Sequence, residues 1–202
     1  MIAKLFSISL TILLSVAATS FEPPKDKRQR TPISSLTMLQ QFALDGLETD
    51  SYFINQSPQL ALDAFGLPNK ILIHHDQAYW DIDQEQTSAE WVYEGFRITV
   101  PYLRDADTTS GEWVPGSYRS GTFIDKVIVD SQIVPLRFGI RVGVAASQVV
   151  SLLKLPESAR KKERIHVLVS VSDLVWRDVE LTFYFDSDDR VTRIEWATAP
   201  WH

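Results

Sequence analysis

Cysteine is absent from the 202 residues. Its absence excludes disulfides, thiolate-held zinc or iron–sulfur centres, a cysteine nucleophile and a lipid-modified N-terminal cysteine. Glycine is scarce: none of the eight falls into Gly-x-Gly-x-x-Gly or Gly-Lys-Ser/Thr, so material for a phosphate-cradling loop is lacking. Basic charge is short as well, with 20 Lys+Arg against 26 Asp+Glu and a net charge of −6. Phosphate binding needs a basic face, so no nucleic-acid partner is expected. What is present suits a folded body. With 45% hydrophobic residues and so modest a charge, the chain is too apolar for disorder, and its length can bury roughly 70% of the unfolded surface.

The N-terminus reads as a secretory signal over residues 1–20. Lys4 supplies the positive charge, and Leu5 to Ala18 form an apolar stretch of 14 residues. Small residues then stand at cleavage spacing, Val16-x-Ala18 or Ala18-x-Ser20. A span of the bilayer needs roughly 20 apolar residues, so the stretch is short for an anchor. No later segment matches it, and no transmembrane segment is expected in the mature chain. Cleavage removes only Lys4 among the charges and leaves −7. Export without cysteine points to a periplasmic or secreted address. Residues 21–35, with three prolines and four basic residues, read as an extended linker.

Two later segments share one pattern. Gln59–Pro68 (QLALDAFGLP) aligns with Ser147–Pro156 (SQVVSLLKLP) at an offset of 88. Both read as short amphipathic helices stopped by proline. Ser57 and Pro58 suit an N-cap and a first helical position. Asn55 falls opposite Gly143, and both tolerate a left-handed backbone.

Strand-like runs follow each helix. Ile165, Val167, Val169 and Val171 recur at every second position, as do Val179, Leu181, Phe183 and Phe185. The tract Asp186–Asp189 is turn chemistry, and Val191–Ala197 returns as a strand. The first copy offers Ile71–Ile82, Trp91–Tyr102 and Thr122–Asp130. Phe96, Ile98, Val100 and Tyr102 match Val179, Leu181, Phe183 and Phe185 at an offset of 83, while Val127 and Val129 match Ile194 and Trp196 at 67. The change of offset places an insertion at 103–120. The expected fold class is therefore α+β: two helix-plus-three-strand repeats with antiparallel sheets and helices on one face. Unit one covers 36–135 and unit two 136–202, sharing one core because a single short helix cannot cover a sheet.

A short helix running into Leu-x-Leu-Pro or Gly-Leu-Pro, then a Trp-x-Tyr strand and an aspartate-turned hairpin, resembles the SmpA/OmlA domain of small outer-membrane lipoproteins. Two such units in tandem resemble the β-lactamase-inhibitor-protein-like fold. The resemblance is carried by Ser57–Pro68 with Trp91–Asp130, and by Phe138–Pro156 with Val175–Trp196. It implies a tandem α+β repeat, a periplasmic address and protein binding rather than catalysis. Lipid anchoring is not implied, since the cysteine is missing.

Chemistry-bearing clusters are thin. His74-His75-Asp76 lies near Asp81 and Asp83, but neighbouring strand residues point to opposite faces and cannot both ligate one ion. The aspartates at 186, 188 and 189 lack the glycine and distant glutamate of a calcium loop. Ser158-x-x-Lys161 lacks its companion motifs, and His166 has no evident nucleophile beside it. No catalytic residue, metal or cofactor is assigned.

Aromatics remain. Read with Phe96, Ile98, Val179 and Leu181 inward, Trp91, Tyr93, Arg97, Trp176, Glu180 and Tyr184 point outward. The insertion adds Trp113 and Tyr118. These eight residues are the candidate partner-binding surface, because Trp, Tyr and Arg anchor interfaces. The expected partner is another protein, bound by an inhibitor- or immunity-type protein. An envelope scaffold component and a hydrolase with dispersed catalytic residues are the alternatives.

Overall fold

The computed structural model describes residues 36–49, 51–76, 86–103, 123–171, 173–175 and 177–200. The leader, the linker, most of the insertion, Asp81 and Asp83 lie outside them. The described residues form a mixed α+β structure with three α-helices and one eight-stranded antiparallel sheet. No helix among them is long and apolar enough to cross a membrane.

Helix α1 (Met38–Asp45) starts at a capping box: Gln40 N–H donates to Thr37 Oγ1 and Thr37 N–H donates to Gln40 Oε1, both at 3.2 Å. These bonds satisfy amides that the first turn would otherwise leave unpaired. Helix α2 (Gln59–Phe65) follows Pro58 and ends at Gly66. Ser57 lies one place further out than an N-cap and accepts from Gln59 N–H at 3.3 Å. Helix α3 (Ala146–Leu153) ends at left-handed Lys154, just ahead of Leu155-Pro156. Asn55 and Gly143 both adopt positive φ, 64° and 93°, as their alignment ahead of the two helices anticipates.

The strands are β1 (Lys70–Asp76), β2 (Gln86–Val92), β3 (Phe96–Leu103), β4 (Lys126–Val129), β5 (Arg160–Lys161), β6 (Arg164–Val169), β7 (Val179–Phe185) and β8 (Val191–Thr198). Their spatial order is β1-β2-β3-β4-β8-β7-β6-β5. Two meanders of four strands thus meet at β4 and β8, where Val127 faces Trp196 and Val129 faces Ile194. Each meander has one more strand than the pattern reading supplies. The run Trp91–Tyr102 is the reason on one side: it splits at Glu94-Gly95 into the β2–β3 hairpin, closed by Tyr93 N–H to Phe96 O at 2.9 Å. Gly95 sits at φ 86°, and a Cβ there would press on Val134, so only glycine fits that turn.

The core lies between the helices and one sheet face. Leu181, Phe183, Phe185, Ile98 and Val100 are all buried, as their alternation requires. Phe42 of α1 stacks on Phe183 at 5.9 Å and packs against Trp196 at 5.2 Å. Trp196 Nε1 donates to Phe42 O at 2.9 Å. The approach is so close that a Cβ on Gly46 would overlap the indole. Phe65 of α2 meets Phe53, Tyr93 and Phe96 edge-on at 4.9–5.8 Å. A buried ion pair fastens the end of α1: Arg137 Nη2 lies 2.5 Å from Asp45 Oδ2, and Arg137 Nε donates to Asp45 O at 2.8 Å. Thr49 donates to the other carboxylate oxygen through both N–H and Oγ1. The fully buried Asp45 thereby keeps its bonding partners.

Candidate functional site

All three helices pack on the Phe183–Trp196 side, so by strand alternation the other face, which mixes polar residues with Leu72, Val92, Ile128 and Leu168, carries no helix among the described residues. The register defines one continuous row across it: Lys70, Val92, Arg97, Ile128, Glu195, Thr182 and His166 are successive cross-strand neighbours. Two charge networks stand on this row.

The first surrounds Arg97. Its guanidinium reaches Glu90 Oε1 at 3.2 Å and Asp130 Oδ2 at 3.1 Å. His74 Nε2 lies 3.6 Å from the second Glu90 oxygen. Glu90 thus lies between Arg97 and His74. The second network surrounds Tyr184, whose hydroxyl donates to Glu195 Oε2 at 2.9 Å. The Arg193 guanidinium lies 3.9 Å from the Tyr184 ring centroid, a cation–π distance. Its Nε is 3.2 Å from Glu195 Oε1 but misaligned for a hydrogen bond, so the contact is electrostatic. Next to it His166 Nδ1 and Thr182 Oγ1 are 3.0 Å apart.

Of the eight sequence candidates, Arg97, Glu180 and Tyr184 stand on this open face, each half-buried. Trp91 and Tyr93 do not, which corrects the outward facing assigned to them. Trp91 is fully buried and Tyr93 is 7% exposed. The physical reason is the hairpin: Trp91 pairs directly with Ile98, and directly opposed residues share a face. Reading the run as one strand carries the alternation through the turn and inverts β2. Tyr93 stacks on Phe96 at 4.8 Å and donates its hydroxyl to Gly66 O at 3.2 Å. Burial pushes its phenol up to about 12 from 10.0. Trp113, Tyr118 and Trp176 lie outside the described residues.

The face also holds residues that composition does not single out: Glu90, Asp130, Arg193 and Glu195. Alternation was the available signal for Glu90, between Ala89 and Trp91, and for Glu195, between Ile194 and Trp196. Among the described residues, no group of three or more His, Asp or Glu could hold a metal ion. Ser158, just before β5, and Lys161 on it are exposed, and Asp186 works as a turn residue, accepting from Asp188 N–H and Arg190 N–H at 2.9 Å. Elsewhere, a shallow depression of about 480 Å³ runs between the β4–α3 connection and Gln148 of α3. Comparison of the chain with protein-family models, with curated proteins and with solved structures yields no match.

Proposed function

We propose that this is an exported, periplasmic binding protein of inhibitor type, which engages another protein through the uncovered sheet face around Arg97, Glu180 and Tyr184. The observation that carries the proposal is the one-sided sheet: helices cover one face, while the other presents Glu90, Arg97, Tyr184, Arg193 and Glu195 on β2, β3, β7 and β8. Such a face offers pre-positioned side chains at little entropic cost on binding. Arg97 and Tyr184 are of the types that dominate interface energetics. The net charge of −7 left after removal of the leader would steer a basic partner toward the protein.

The tandem-repeat reading, with its SmpA/OmlA-like resemblance, belongs to the same proposal. Each of α2 and α3 leads into a four-stranded meander. The positions matched at offset 67 exchange partners at the β4–β8 seam, as a local two-fold relation between duplicated units would arrange them. Both features support duplication.

The test compares retention of envelope proteins on the exported chain with retention on Arg97→Ala and Tyr184→Ala variants. A specific protein should be held by the parent and weakened by each substitution at unchanged melting temperature. Retention indifferent to both changes, or falling only as stability falls, overturns the reading.

A further inference from the structure

The sheet ends at β1, which pairs with β2 on one side and, among the described residues, with no strand on the other. Its outer edge is seven residues long, Lys70-Ile-Leu-Ile-His-His-Asp76. The opposite end differs, because β5 covers only the first part of β6, at Arg160–Ile165 and Lys161–Arg164. A long uncapped edge offers unpaired main-chain donors and acceptors to another strand.

The sequence of β1 selects the occupant. Laid antiparallel against itself about Ile73, the strand places Lys70 opposite Asp76 at both ends, Leu72 opposite His74, Ile71 opposite His75, and Ile73 opposite its own copy. Each opposed pair then has residues of the same parity, so both helix-covered faces stay on one side and both open faces on the other. A slip of one residue would oppose residues of unlike face. A slip of two loses the Lys–Asp pairs and sets Leu72 against Asp76, or Lys70 against His74. Only the Ile73-centred register uses all seven residues with unlike charges at both ends.

We infer that two copies of this chain join edge to edge through β1, forming a two-fold dimer with one continuous sheet. The contact is isologous and closes at two copies. Ile71 and Ile73 are only half-buried in the single chain, and the second copy extends the apolar layer beside them. This inference is independent of the binding role given to the open face.

Analytical ultracentrifugation of the purified protein over a wide concentration range tests it. A reversible monomer–dimer equilibrium is expected. Lys70→Asp, at an exposed position, replaces both attractive end pairs by repulsive ones and should weaken the dimer about tenfold. The double variant Lys70→Asp/Asp76→Lys restores unlike pairs and should recover it. Leu168→Lys, on β6 at the far side of the sheet, should leave association unchanged. Melting temperatures of all variants verify that each is folded. A parent that stays monomeric, or grows beyond dimers, overturns the inference. So does a double variant that fails to recover association, or dissociation caused by Leu168→Lys.

Discussion

The two halves of the sheet reach the same burial by different routes. In the β5–β8 half, Phe183 and Trp196 pack on Phe42 of α1, and the indole hydrogen-bonds to the helix backbone. In the β1–β4 half, the rings of Tyr93 and Phe96 stack at a hairpin and Phe65 of α2 caps them edge-on. Trp91 lies fully buried in the same half. One half therefore depends on a helix seated on the sheet, the other on a turn that folds two strands back together. With eight residues in α1 and seven in α2, neither helix contributes much stability of its own, and each is held by its tertiary packing.

The largest expected effect breaks either half directly. Phe183→Ala and Trp91→Ala should each cost about 3–5 kcal/mol, measured by urea denaturation. A loss below about 1 kcal/mol for Trp91→Ala would mean that the hairpin half packs loosely, and the comparison would fail.

Asp45→Ala should come next, at about 3 kcal/mol, because it leaves Arg137 largely buried without its carboxylate. Its effect should fall on α1 and so on the β5–β8 half. Hydrogen exchange that opens β7 and β8 ahead of β2 and β3 would bear this out, and uniform opening would contradict it.

Raising the pH should act on the other half. With Tyr93 at about 12 when folded and 10.0 otherwise, the folded state favours the neutral phenol. Stability from this group is complete below pH 10 and falls as the pH climbs through 10 toward 12. Tyr93→Phe should remove that part of the alkaline decline in a melting-temperature profile. An unchanged decline would place its origin elsewhere.

The smallest effect belongs to the open face. Arg97→Ala and Tyr184→Ala should each change stability by less than about 1 kcal/mol, since partly exposed ion pairs contribute little. A larger loss would show that the polar row holds the two halves together at β4 and β8.

Much of this was legible residue by residue. The period-two run from Val179 to Phe185 assigns the core face of β7 without ambiguity. The proline after each Leu-x-Leu or Gly-Leu segment marks the ends of α2 and α3. Helix α1 lies outside the matched segments and was missed, although the Thr37-x-x-Gln40 box followed by Phe42, Ala43 and Leu44 is a signal that could have found it. The β2–β3 turn was harder. Glu94-Gly95 interrupts an otherwise continuous apolar alternation, and a two-residue turn leaves too little polar sequence to announce itself. Missing it inverted Trp91 and Tyr93.

By itself, the sequence determined the mixed α+β class, the two proline-stopped helices, the buried residues of β7 and the lack of any thiol. These follow from local periodicity, backbone limits and the residue types present. Only the tertiary structure decided which face each hairpin strand presents, that the two meanders meet at β4 and β8, and that Arg97, Glu90 and Asp130 come together. Those outcomes depend on cross-strand register, which is set by turn geometry and by contacts between residues far apart in the chain.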